Sequence, residues 1–333
     1  MVGTGIDAVY LILLFVPAIA GMLLGLVKAS GRIPVALCAV SCVFGMLCYP
    51  YHVYSPDLAY ELPVGSYLGS YAVSFDQLGS FFISISSTVF LMIVIHMSHS
   101  GHGYTPGYSG MCSALFLSVT LCMCAETAIL LLMAWEAVSM VTFLMARAGM
   151  DEGARWRFLA VTHIGGLVLM AVYGYMWVVS GSGHLGDWDG LGTVLGQGTS
   201  MALALLFFIG FGTKLGTVPF HAWMPDMYAA SPTHTTALLT TVCSNAAVLM
   251  LFRAVYSYIG ADGLTDIGMV VCLLSAVTAL WGAMESMVQT EPKRILAYSS
   301  MENMALVTMC LSMGLIFWNS SSSLTALVTL AGL

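Results

Sequence analysis

Long apolar runs separated by short polar interruptions set the plan of the chain. Runs of about 20 apolar residues cross a bilayer as a helix. They predict helices near residues 8–27, 33–50, 74–95, 109–125, 127–147, 156–179, 200–216, 233–257, 265–287 and 295–317. An eleventh run starts at Leu324 and meets Leu333, too short to cross roughly 30 Å of hydrocarbon. The first run has no basic segment before it and no convincing small-residue cleavage site, so it reads as a retained helix rather than a removed signal. The expected fold is an all-α polytopic membrane protein of about ten transmembrane helices plus a truncated eleventh, with a discontinuous helix 7.

Composition narrows the class further. The 333 residues are 59% hydrophobic and 8% charged, with a mean hydropathy of +0.93, whereas a soluble domain carries about 25% charged residues. The lipid bilayer is therefore a partner, and a net charge of −7 spread over short loops gives no basic surface for nucleic acid. Nine cysteines fall mostly inside apolar runs without a C-x-x-C pair, and read as small buried hydrophobes rather than a metal or redox site. No phosphate-binding G-x-x-x-x-G-K-[ST] loop is present, which argues against nucleotide hydrolysis in this chain.

Charge also sets orientation. Lys28, Arg32, Arg147, Arg155, Arg157, Lys293 and Arg294, seven of nine basic residues, fall on one side if the helices alternate. The opposite loops hold Asp57, Glu61, Asp187, Asp189, Asp262 and Asp266. Basic loops stay cytoplasmic, so the expected location is the plasma membrane with the N-terminus outside. The aromatic, acidic stretch 51–73 reads as an outer interfacial belt.

Two basic residues depart from that division. Arg253 lies near the outer end of helix 8, where it can snorkel, and Lys214 is left deep. Helix 7 runs into Lys214 and then breaks over Gly216, Pro219, Pro225 and Pro232, with His221 and His234 following. A lysine at membrane depth costs roughly 2.5–3.5 kcal/mol on insertion scales. Broken helices are tolerated there where protein or a wet cavity satisfies the freed backbone. The combination suggests an ion path. The alternative is a lysine that snorkels to an interface beside an ordinary loop.

Other ionisable groups lie at depth. Glu136 sits near the middle of helix 5 without a charge within a turn. Burial opposes its charge and a nearby lysine would support it; a neutral carboxyl joining two helices is the alternative. His163 on helix 6 reads equally as a proton relay or a packed core histidine. Glu285 and Glu302 read as entry groups or as interfacial acids. His96, His99 and His102 fall in a Gly/Ser-rich run that reads as a solvated loop rather than a metal site. No side chains combine as a nucleophile with its base or as a set of metal ligands, so the reading includes no catalytic residue, cofactor or metal in this chain.

Four stretches together carry a resemblance: SFDQLGSFF at 74–82, LLMAWEAVSMVTFLM at 131–145, GTKLGTVPFHAWMPDMYAASPTHTTAL at 212–238 and PKRILAYSSMENM at 292–304. The chain resembles the antiporter-like membrane subunits of respiratory complex I, Mrp-type cation/proton antiporters and energy-converting hydrogenases. THIGG at 162–166 and YSSMEN at 298–303 are most similar to the formate hydrogenlyase-type branch. The resemblance implies that Glu136 is the helix-5 glutamate and Lys214 the helix-7 lysine of a half-channel, and that His163 and His234 match histidines of the hydrogenase-like members. It implies a division into N-terminal helices over 1–108, a five-helix transport repeat over 109–258 and the start of an incomplete second repeat over 259–333. It also implies partners: other membrane subunits of a redox complex and a cytoplasmic hydrogenase or iron–sulfur module.

Two positions depart from that pattern. Hydrogenase-like members carry a second lysine thirteen residues after the proline of P-[ST]-H, and counting from Pro232 reaches Asn245. A water-mediated relay through Asn245, Ser244 and His234 is the substitute. The resemblance also implies a second repeat with a further lysine or glutamate on helix 12, expected either on a separately encoded chain or beyond a truncation. The expected function is proton translocation, with Na⁺ as the alternative cargo, in a redox-driven complex. A stand-alone cation/proton antiporter and a non-transporting membrane anchor are the rival readings.

Overall fold

The computed structural model describes residues 5–27, 32–55, 59–62, 71–99, 106–147 and 149–318. Lys28, Asp57, His102 and the run from Leu324 lie outside the described residues, as do the side chains of Glu61 and His99. The chain forms two compact units, residues 1–148 with 232–246, and residues 149–231 with 247–333.

The first unit contains α1 (Gly5–Leu26), α2 (Arg32–Met46), α3 (Cys48–Tyr54), α4 (Gln77–His99), α5 (Pro106–Cys124) and α6 (Ala128–Ala146). Their apolar composition supplies no hydrophobic drive for one helix to prefer another within lipid, so small residues set the closest contacts. A Cβ at Gly110 of α5 would stand 2.7 Å from Gly25 Cα of α1, and one at Gly21 would stand 3.2 Å from the Pro34 carbonyl of α2. The second predicted helix bends by 42° at Leu47, between α2 and α3. The stretch read as an interfacial loop contains strands β1 (Ala59–Leu62) and β2 (Tyr71–Ser74), paired antiparallel with Tyr60 opposite Val73. Within the same end, Tyr51 stacks on Tyr10 at 4.3 Å and its hydroxyl donates to Asp7 at 2.7 Å.

The second unit contains α7 (Glu152–Ser180), α8 (Gln197–Leu215), α9 (Met224–Ala230), α12 (Thr265–Val288) and α13 (Pro292–Phe317). Asp151 caps α7 by accepting from the Ala154 N–H at 2.6 Å. The α7–α8 loop folds around buried Trp188, whose indole donates to the Ser182 carbonyl at 2.9 Å.

The boundary between the units falls inside one helical run, Thr233–Ile259. This run comprises α10 (Thr233–Leu238) and α11 (Ser244–Phe252), each followed by a π-helical segment, Leu239–Cys243 and Arg253–Ile259. The π turn after α10 leaves carbonyls without their usual donors, and nearby hydroxyls take them up. Thr240 and Thr241 donate to the Ala237 carbonyl, and Ser244 donates to that of Leu239 at 3.2 Å.

Among the described residues, nine helices are long and apolar enough to cross a membrane, or ten if α2 and α3 count as one span. The all-α polytopic reading is thus the observed architecture. All nine cysteines are free and seven are buried.

Candidate ion-translocation site

Lys214 lies in the last turn of α8 and is 8% exposed. The helix stops because Gly216 adopts φ 75°, the left-handed conformation that glycine reaches without a Cβ penalty. The break then folds back to serve the final carbonyls. The N–H and hydroxyl of Thr217 both donate to the Gly212 carbonyl at 3.1 Å, and the Trp223 indole donates to that of Thr213 at 2.8 Å. These donors supply what the helix end would otherwise seek from water. The Val218–Pro219 peptide is cis, and the Val218 N–H donates to Thr278 of α12 at 3.1 Å.

The chain resumes as α9, which is fastened from both flanks. Asp226, in its first turn, accepts from Arg157 of α7 and from Arg294 of α13, the latter at 2.9 Å. Lys293 donates to the carbonyl of Ser231, just beyond the end of α9. Sequence reasoning quoted Asp226 within its motif but assigned it no role. The available signal was an acid in a first helical turn of a chain that is only 8% charged.

His163 sits on α7 with Nδ1 2.9 Å from the Leu159 carbonyl. Two residues later, a Cβ at Gly165 would stand 3.0 Å from the Gly210 carbonyl of α8 and would also meet Thr213. That close approach sets His163 level with the turn of α8 that carries Lys214. His221, inside the break, places its ring 6.1 Å from that of Trp281, edge to face. Its Nδ1 is buried and has no hydrogen-bond partner among the described residues.

The remaining sequence candidates belong to the first unit. Glu136 is half-buried in the middle of α6, with Oε1 fully enclosed. His234, on α10, lies 5.8 Å from the Tyr108 ring and 6.5 Å from the His96 ring. The Tyr108 hydroxyl sits 2.6 Å from that of the adjacent Thr235. His96 was expected in a solvated loop, but α4 continues to His99 and carries it to His234. The apolar run up to Ile95 held the signal that the helix would extend this far. Asn245 is half-buried in the first turn of α11. Among the described residues no three His, Cys, Asp or Glu side chains converge as a metal-binding group.

The fold and these groups define a multi-pass helical membrane protein in which a buried lysine stands at an interrupted helix. The chain belongs to the NADH:quinone oxidoreductase/Mrp antiporter transmembrane family, whose description matches residues 125–331. It is 24% identical over 269 residues to hydrogenase-4 component B of Escherichia coli, covering 77% of this chain and 39% of that protein. To the NADH-quinone oxidoreductase subunit N of Granulibacter bethesdensis it is 29% identical over 243 residues, covering 69% of this chain and 50% of the relative. The fold also matches a chain in the structure of the membrane-bound sulfane sulfur reductase, an archaeal respiratory membrane complex. That match has a TM-score of 0.80 at 18% identity, covering 97% of this chain and 55% of the other. The chain therefore spans half or less of the length of these two curated relatives.

Proposed function

We propose that the chain is a proton-translocating, antiporter-like subunit of a redox-driven membrane complex, with Na⁺ as the alternative cargo. Lys214 is the observation that carries the reading. An ammonium at this depth in an apolar helix is costly, and such groups mark ion and proton pathways. Its helix ends one residue later, at Leu215, in irregular backbone, the arrangement that lines conducting paths in transporters. Lys214 takes up and releases the proton. His221 and His234 deliver it from the cytoplasmic side, and His163 and Asn245 extend the relay through water. The family resemblance assigns Glu136 the electrostatic tuning of Lys214, within the five-helix repeat over residues 109–258.

The chain moves ions without redox chemistry of its own, so the drive comes from partners. The relatives named above include a hydrogenase component and a quinone oxidoreductase subunit, which supports other membrane subunits and a cytoplasmic hydrogenase or iron–sulfur module as those partners. The concentration of seven of nine basic residues on one side supports a plasma-membrane location with the N-terminus outside.

The test is coupled proton pumping by the assembled complex in vesicles. Lys214→Ala and Glu136→Gln each abolish pumping and leave assembly intact; unchanged pumping in both variants rejects the mechanism. Flux from this chain without a redox partner would identify a stand-alone antiporter. A complex with no flux above the lipid background would identify an anchor.

A further inference from the structure

We propose that Glu285 and Tyr298 form the proton-collecting site that feeds His221. This deepens the reading above and depends on it for the link to transport.

The site is assembled by three elements of the second unit. On α12, Trp281 and Glu285 stand four residues apart and so share one stripe, with Gln289 just beyond the end of the helix. The His221 ring rests against Trp281 at the start of that stripe. Gln289 donates to Glu285 Oε2 at 3.2 Å at its other end. Glu285 stands between them, one turn along α12 from the Trp281 ring that His221 meets.

Tyr298 reaches the stripe because α12 and α13 approach closely at Gly282. A Cβ there would stand 2.9 Å from the Tyr298 carbonyl and 3.2 Å from the Glu302 N–H. One turn before Tyr298, Arg294 pairs with Asp226. Gln289 thus bonds to Glu285 on one side of the cluster, and the Arg294–Asp226 pair stands one turn from Tyr298 on the other. The cluster sits at the end of α12 and the start of α13, beside Lys293 and Arg294, so it lies on the basic side of the membrane.

An acid near a helix end is ordinarily just a solvated group. The buried Nδ1 of His221 distinguishes this one. A buried imidazole nitrogen with no hydrogen-bond partner among the described residues calls for water or a proton donor, and Glu285 is the acid one turn along α12 from the Trp281 ring against which His221 rests. The step balances as a simple transfer. Hydronium from the aqueous phase at the helix ends protonates the Glu285 carboxylate and leaves water; the acid passes that proton through water to the neutral His221 ring and returns to carboxylate. The imidazolium then hands it on towards Lys214. Gln289 holds the carboxyl in place through its bond to Oε2.

The experiment measures proton translocation by the assembled complex in vesicles for Glu285→Gln, Glu285→Asp and Lys214→Ala, with carboxyl-region infrared difference spectra for Glu285→Gln and His221→Gln. Glu285→Gln is expected to slow translocation by about tenfold or more, as loss of a positioned proton donor does, and Glu285→Asp to restore most of it. A titrating carboxyl band is expected to vanish in Glu285→Gln and to shift in His221→Gln. Wild-type translocation in Glu285→Gln beside none in Lys214→Ala overturns this inference and leaves the function standing. Wild-type translocation in Lys214→Ala overturns the function instead. In that case the infrared arm decides alone: a band shifted by His221→Gln upholds the acid–histidine pair, and an unmoved band removes it.

Discussion

The indole N–H of Trp223 donates to the backbone carbonyl of Thr213 at 2.8 Å, across the break that follows Lys214. The bond closes the interruption onto the helix end next to the lysine, and both partners are buried. Trp223→Phe removes the donor and leaves that carbonyl unsatisfied, a cost of about 1–3 kcal/mol. Unfolding titrations in detergent should show the loss, and hydrogen exchange should rise first over residues 213–223.

Asp226 bridges two arginines, yet their side chains are 48% and 36% exposed. Surface ion pairs of that kind contribute about 0–1 kcal/mol each. Asp226→Asn should therefore barely move the global unfolding midpoint. Its effect should be local: weaker exchange protection of α9 and faster proteolysis around residues 217–231, measured on the same sample.

Gly282 stands where α12 and α13 meet backbone to backbone. Gly282→Leu has no flexible neighbour to displace at the Tyr298 carbonyl, 2.9 Å from the first added carbon. Overpacking of this kind costs about 1–3 kcal/mol. The detergent unfolding midpoint should fall, while Gly107→Ala, with nothing within 4 Å of its added carbon, serves as the silent comparison.

Gly216 carries the left-handed turn that ends α8. An L-residue there costs roughly 1–2 kcal/mol, and the added carbon would also stand 2.9 Å from the mobile end of Met224. Gly216→Ala should lower stability by about that amount, and Gly216→Val by more, in the same titrations.

Most of the architecture was legible in the sequence because hydrophobic length is a strong signal in a membrane protein. Among the described residues, each of the ten predicted spans contains a helix, including the one that stops after Lys214. The bend at Leu47 and the π turns were not legible. No proline or glycine marks them at their own positions; at the bend the Ser84 hydroxyl meets Gly45 and Tyr49, and at Leu239–Cys243 threonine and serine hydroxyls take up the carbonyls. Among the candidate residues, the setting of Lys214 at a helix end followed from Gly216 and the prolines beyond it. The proximity of His96 to His234, and of Trp281 to His221, did not follow, because each joins residues sixty or more positions apart in the chain. Contacts at that separation are set by helix packing and leave no trace in local periodicity.

The π segment Leu239–Cys243 changes what counting along the helix means. A wider turn consumes one more residue than an α turn, so every side chain beyond it points one step later than its number suggests. The direction assigned to the thirteenth residue after Pro232 is then taken by Ala246, and Asn245 faces where an unbroken helix would have put Ser244. Position along the chain and bearing around the axis have come apart at Asn245, which stands where the resemblance implies a second lysine.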